Sequence, residues 1–414
     1  MTTLTRWLFR AAAPLAIVLC AGWYVENTFV RQMPTASLSD FRWYHLAAQH
    51  IARGESPYLA EGYLYPPLLA CLLTPLAPLD YVTARWVWFL FSHACLLAAA
   101  WLIWRHLGAG RMAGVIVAVV WSMGAAAGES LALGQIGPQL TLLLAMAYTL
   151  IGRRQGSAIG AGAALKLMPG VLCAILVLRR DRRALFAALA SGALLVIIPW
   201  VIVACWLTGP KAPLRLDYLA GTPSLLSWSL PSVALRIYEP LRPGRPIPTD
   251  WITGNGLQTL RLSANQGLIS AGVALVTLAA GCMVLVVVVR GRLTSQQVPL
   301  ACSAMLALAL AASPVCWTHY QVMQYPGAAL FLGYAARRKL WRLVGTALTC
   351  AMFLYPLPVA VLRSYYLRSN GWPDSPWVMY FWTSIPSIAS LVLFGLMARE
   401  LPEIQPRAMR AGAA

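Results

Sequence analysis

The chain has 414 residues, 59% of them hydrophobic and only 11% charged, where soluble domains carry about 45–50% and about 25%. Its 32 basic residues outnumber 13 acidic ones, giving a formal net charge of +19. A soluble enzyme, a disordered chain and a secreted disulfide scaffold are excluded; an integral membrane protein fits.

Apolar runs recur from end to end without alternating. Inside a bilayer every backbone polar group must be paired within the protein, so such runs predict spanning helices. The expected fold is an all-α polytopic membrane protein, one domain over 1–414, with about 12 segments. They are placed at 11–25, 86–104, 112–128, 139–151, 157–166, 168–178, 184–207, 266–289, 298–312, 321–335, 343–361 and 377–397. The first follows a basic start (Arg6, Arg10); with no small-x-small cleavage site after it, it is expected to be a retained helix, not a signal peptide. The pair 157–166 and 168–178 has the total length of one span. Arg153 and Arg154 precede it and Arg179, Arg180, Arg182 and Arg183 follow it. The positive-inside rule therefore favours two half-helices meeting at Lys166-Leu167-Met168-Pro169-Gly170. Basic residues are scattered between apolar runs, which suits anionic lipid headgroups; a nucleic-acid binder would gather them into one patch. With both termini inside, the acidic residues, all but Asp181, Glu400 and Glu403, fall on or near the outer face. The nine cysteines form no CxxC and read as small core residues.

Taken in order, the first outer segment (26–85) opens with Ser39-Asp40-Phe41-Arg42-Trp43-Tyr44-His45. Asp40 and Tyr44 share a face if this is helical. Asp40 is then either the cap of a surface helix or a general base at the membrane surface. Tyr58 and Tyr65 are turn-flanking, interfacial tyrosines or a sugar-facing wall. Residues 65–79 are apolar but proline-rich, and about 22 Å of helix falls short of about 30 Å of hydrocarbon. A helix in or dipping into the outer interface is expected. Glu129 and Gln135 sit at the outer end of two spans, with Gly137-Pro138 as a helix stop; a cavity wall is the preferred expectation. Lys166, between apolar half-helices, is costly at a membrane midplane, about 2.5–3.5 kcal/mol on insertion scales. It either snorkels or holds an anion such as a lipid-linked phosphate. The second long outer segment (208–265) is rich in Pro, Gly, Trp and Arg. Trp317, His319 and Tyr320 lie at another outer edge, where the imidazole could donate to a phosphate or hydroxyl and the rings could pack on a sugar. His93 and His106 read as structural. Tyr365, Tyr366, Trp372 and Trp377 read as interface anchors of the third outer segment, 362–376.

No GxGxxG, P-loop, HExxH, GxSxG elbow or zinc spacing occurs. What remains is Asp40-Phe-x-x-Tyr44, Gly54-x-x-Pro57-Tyr58, Tyr65-Pro66-Pro67, Gly134-Gln135, Lys166-x-x-Pro169 and Ser313-Pro-x-x-Trp317-x-His319-Tyr320. In this order, over about residues 11–335, they resemble glycosyltransferase family 87, membrane mannosyltransferase-like proteins of the GT-C class. The resemblance implies a GT-C helical bundle with outer-face juxtamembrane helices and its active site at the outer face. It also implies a polyprenyl-phosphate sugar donor, transfer of a hexose, mannose by the family's example, to a lipid or glycan hydroxyl, and inversion. Asp40 corresponds by position to the acidic base of the first outer loop. Lys166 and His319 match motifs, and with Arg85 they are expected at the donor phosphate; Tyr44, Tyr58, Tyr65, Glu129, Gln135, Trp317 and Tyr320 are expected around the substrates. No metal and no cofactor is expected, nor any nucleic-acid partner. A multi-pass protein of a bacterial inner membrane, with its site facing the periplasm or exterior, is the expected setting. The alternative is a lipid or sugar transporter, for which a broken helix with an internal lysine also speaks.

Overall fold

The computed structural model describes residues 3–33, 40–122, 125–211, 227, 229–238, 264–289, 293–313, 316–354 and 376–404. Most of the 208–265 segment and the expected anchors at 365, 366 and 372 lie outside the described residues. Helices dominate, and the described residues contain two isolated bridges and no strand. In chain order the helices are α1 (Thr3–Tyr24), α2 (Asp40–Ala52), α3 (Pro67–Leu73), α4 (Tyr81–His106), α5 (Arg111–Ser122), α6 (Ala125–Leu133), α7 (Gly137–Thr149) and α8 (Gly152–Leu165). There follow α9 (Cys173–Arg179), α10 (Arg182–Trp206), α11 (Leu230–Tyr238), α12 (Ala264–Val289), α13 (Val298–Ala312), α14 (Tyr325–Arg337), α15 (Trp341–Leu354) and α16 (Pro376–Glu400).

Among the described residues five helices are long and apolar enough to cross a membrane, or six if the bent pair α5–α6 is one span. These several apolar helices suggest a membrane protein. Among the described residues the expected count of about 12 is not confirmed. The 13 residues of α7 and the 15 of α13 reach only about 20 Å and about 22 Å at 1.5 Å per residue. The expected span at 112–128 is two helices bent by 55°. The one at 321–335 begins as a 3-10 turn, Thr318–Gln324, before α14. Residues 355–361 of the span expected at 343–361 lie outside the described residues.

The chain forms two compact units, 1–214 with 322–341, and 215–321 with 342–414. In the first, α1 and α4 meet where the Tyr24 hydroxyl and His93 Nδ1 lie 3.0 Å apart, with Phe29 and Phe89 around the imidazole. That is a structural setting for His93. The N-terminus of α4 is capped by Asp80, whose Oδ1 accepts from the Val82 and Thr83 amides at 3.0 and 3.1 Å.

Helix α8 packs directly against α10. Gly156 and Gly160 are one helical turn apart on α8. A Cβ at Gly156 would run into the Ala184 carbonyl, and one at Gly160 into Ser191 Oγ and the Ala188 carbonyl. Small residues let the backbones touch, a common way to pack apolar helices where burial in lipid supplies no drive. The end of α8 is where the sequence predicts a break. Lys166 is extended (φ −156°, ψ 122°), and Pro169 lies in the first turn of the following 3-10 helix, Met168–Leu172. In the second unit α13 is buried along its whole length, as its all-round apolar sequence requires. It packs against α12 and α16, and Gln297 ties its start to the Leu401 carbonyl at 2.8 Å.

Gly156→Ala puts a methyl against a backbone carbonyl that no rotamer can move. We expect it to destabilise the first unit by about 1–3 kcal/mol, read as a lower thermal midpoint of the purified chain; an unchanged midpoint would mean α8 and α10 are not in backbone contact.

Candidate functional site

The site is built from α2 upward. Its apolar and aromatic residues Phe41, Tyr44, His45, Ala47 and Ala48 are buried on one face, the helical repeat of an amphipathic segment. Gly54, at φ +77°, follows its last turn and permits the left-handed stop. Asp40 is the first residue of α2, where a negative charge faces the positive end of the helix dipole. Ser39, its expected neighbour in a cap, lies outside the described residues.

The carboxylate reaches across the sequence: the Gln135 Nε2 donates to Asp40 Oδ2. On the other side of the same amide, Gln135 Oε1 accepts from the Tyr44 hydroxyl at 3.0 Å and the Tyr65 hydroxyl at 2.9 Å. An amide is suited to this place. It donates to an anion at one end and accepts from phenols at the other, whereas a carboxylate would repel Asp40 and an ammonium could not accept. The Lys166 ammonium lies 5.8 Å from the centre of the Tyr65 ring, and its charge acts on the Asp40 carboxyl. Asp40, Tyr44, Tyr65, Gln135 and Lys166 are thus one group in the first unit. Burial pushes the Asp40 carboxyl above the usual aspartate range, while the Gln135 hydrogen bond and the Lys166 charge pull the other way.

The supports of this group are aromatic. Phe41 stacks on Trp88 of α4 at 5.7 Å, and the Trp88 Nε1 donates to the Gly134 carbonyl at 2.8 Å. Gly134 has φ +68°, and a Cβ there would strike Phe41. Both conditions call for glycine in front of Gln135. Arg85 is buried and donates to the Ala132 carbonyl at 2.7 Å, so it braces the same turn. Tyr58 is buried too: its hydroxyl donates to the Tyr65 carbonyl at 3.3 Å, and its ring lies on Tyr63 and on Trp200 of α10. Tyr63 hydrogen-bonds the Pro66 carbonyl at 2.6 Å and the Ala70 amide at 3.0 Å.

Arg85 and Tyr58, expected at the donor phosphate and the substrate wall, therefore hold the backbone of residues that carry the site. Glu129 is half-buried on α6, whose Gly128 faces Asn27 and Gln32. Trp317, His319 and Tyr320 belong to the second unit. There His319 and Tyr320 are buried with their rings edge-on at 4.8 Å, and Trp317 bridges to Ser227. Trp88 and Trp200 are members of the aromatic support that the sequence did not single out, whereas Tyr63 lies in the tyrosine-rich stretch it did. The alternation Tyr63-x-Tyr65 was the available hint. Among the described residues no three His, Cys, Asp or Glu side chains gather where a metal ion could sit.

Comparison with known proteins adds two findings. The model of glycosyltransferase family 87 matches residues 63–318, more than half of the chain. A stretch of 84 residues is 36% identical to GPI mannosyltransferase 1 of Eremothecium gossypii, covering 20% of each protein. The chain thus spans about one fifth of that relative's length.

The raised Asp40 carboxyl has a consequence for stability. Between the ordinary aspartate pKa and the raised folded value, the folded chain binds more protons than the unfolded one, so stability falls as pH rises through that window. At neutral pH the ionised Asp40 then weighs against the fold. Asp40→Asn, which keeps an acceptor for Gln135, is expected to raise the thermal midpoint at pH 7; a drop would mean that the buried carboxylate is net stabilising.

Proposed function

The chain belongs to glycosyltransferase family 87, and on that premise we propose that it moves a hexose from a polyprenyl-phosphate donor to the hydroxyl of a lipid or glycan acceptor. The observation that carries this reading is the placing of one carboxylate and one ammonium about a shared tyrosine and glutamine. Mannose is favoured by the short stretch of identity to a mannosyltransferase. The reading is of a GT-C type enzyme of a bacterial inner membrane, with the site on the outer face, where the acidic residues concentrate.

The chemistry follows from the two charges. Asp40 takes the proton of the acceptor hydroxyl as its oxygen attacks the anomeric carbon, and the bond from that carbon to the phosphate oxygen breaks with inversion. The bonding electron pair leaves on the polyprenyl phosphate. Burial makes Asp40 a stronger base than a surface aspartate, which suits this step. A glycosidase needs a second carboxyl group to protonate its leaving group; a phosphate leaves without one. The charge that grows on it is met by the fixed Lys166 ammonium, which favours the transition state over the ground state. Gln135 does not need to touch either substrate: it aims the carboxylate, and Tyr44 and Tyr65 fix the amide.

Purified protein given a labelled polyprenyl-phosphate mannose and a lipid extract tests this, with products read by mass spectrometry. Asp40→Asn is expected to lower transfer at least about 100-fold while donor binding persists; near-normal turnover would remove Asp40 from the mechanism. Lys166→Ala should lower kcat/KM for the donor about tenfold or more, the loss of one charge-assisted contact; an unchanged kcat/KM would remove the lysine.

Gln135→Leu deletes a contact that lowers the Asp40 pKa. The acid limb of kcat/KM is then expected to move to higher pH, because the carboxyl must lose its proton to act and now holds it longer. A limb that stays in place with a raised KM would instead put Gln135 on the substrate.

A further inference from the structure

Resting on the reading of Asp40 as the base for the acceptor hydroxyl, we propose that Trp43 is a substrate-binding residue whose indole carries the sugar ring of a glycoside acceptor. The placement follows from α2, which holds both residues. Successive residues turn by about 100° around a helix, so Tyr44 lies about 40° to one side of Asp40 and Trp43 about 60° to the other. The Tyr44 side is occupied by Gln135 and Tyr65, with Lys166 beyond, which is where the donor phosphate belongs. The Trp43 side is left for the acceptor. Side chains three apart on a helix are neighbours, about 5–6 Å between Cβ atoms, so a hexose whose hydroxyl meets Asp40 comes within reach of the indole.

Three observations single out this ring. First, it is unused by the protein. Phe41, Tyr44, Tyr58, Tyr63 and Tyr65 each lie against another ring, and the Trp88 and Trp121 indoles donate to the Gly134 and Leu96 carbonyls. Among the described residues Trp43 has neither a ring contact nor a hydrogen bond, although an indole N–H taken out of water usually finds an acceptor. Second, the ring is backed. A Cβ at Gly62 would stand 2.5 Å from Cδ2, Cε2 and Nε1 of the indole alike, so the glycine lies flat on one face of the five-membered ring. That contact fixes the plane of the indole, and Trp43 is only half-buried, which leaves ring surface to offer. Tryptophans that anchor a chain at an interface stand outward, as Trp23 and Trp206 do at 59% and 74% exposure. Third, Glu61, next to the backing glycine, is exposed and forms no ion pair among the described residues. Its neighbours in the first outer segment are engaged: Glu26 with Arg31, Glu55 with Arg53, and Asp80 as the cap of α4. A π face, an N–H and an available carboxylate together suit a pyranose. Its C–H face carries weak positive charge and is drawn to the negative face of the ring, while its hydroxyls donate to a carboxylate and accept from the N–H. An acyl chain would leave both polar groups unmet.

The test is fluorine NMR of the full chain labelled with fluorotryptophan and titrated with methyl α-mannoside. Trp43→Phe and Trp23→Phe identify the two resonances by their disappearance. The Trp43 resonance is expected to move saturably with the glycoside and the Trp23 resonance to stay. In the transfer assay Trp43→Leu is expected to raise the amount of lipid extract that gives half-maximal transfer at least about fivefold, the loss of one stacking contact. The donor KM should stay as it is, and Trp43→Phe, which keeps a flat ring, should recover most of the loss. A Trp43 resonance that does not move, or a rise in the donor KM in place of the acceptor requirement, would overturn the proposal. The two readings fail separately. A glycoside-dependent shift in a chain that transfers nothing keeps the sugar site and removes the reaction; normal transfer with an unmoved resonance does the reverse. If Trp43→Leu does not fold, the spectrum of the wild-type chain decides.

Discussion

The hydrogen bond from the Gln135 amide to the Asp40 carboxylate joins residues 95 apart in sequence, and the rest of the site is arranged to keep it. A carboxylate taken out of water must be met by donors or charge, or it takes up a proton. Here the answer is divided between one amide and one ammonium. The amide is held by two phenols, the phenols by an aromatic layer, and that layer by α4 and α10. A change at any of these levels reaches Asp40 through contact, not through long-range charge.

Glycines set the distances. Gly134 allows Phe41 to lie against the turn that carries Gln135, and Gly156 and Gly160 allow α8 to lie against α10. The first contact places the carboxylate and its amide. The second places the helix from whose end Lys166 emerges. Both are close approaches of backbone, where an added methyl group has nowhere to go, so site geometry and helix packing are one constraint.

The helix α8 links two cationic features. Its C-terminal end releases Lys166 in extended backbone beside Tyr65, and its N-terminal end carries Arg153 and Arg154 beside the start of α10. Fourteen residues separate them by about 21 Å as a rigid rod.

The family was legible in the sequence because its motifs are short, ordered and chemically distinct. The membrane character was legible because hydropathy is a local property. Asp40 and Lys166 stood out for the same kind of reason: a charge beside apolar residues is conspicuous whatever the fold. The number of spans was not legible, because an apolar run does not reveal whether its helix is bent, as between α5 and α6, or too short, as in α7. Nor were the backbone partners of the polar side chains. Tyr58 and Arg85 donate to the Tyr65 and Ala132 carbonyls, pairings that no local pattern announces. Sequence alone determined which groups could do chemistry, since reactivity belongs to the residue type. Only the tertiary structure decided that Asp40, Gln135, Tyr65 and Lys166 meet, because their meeting depends on backbone approaches between segments far apart in the chain, which no local pattern encodes.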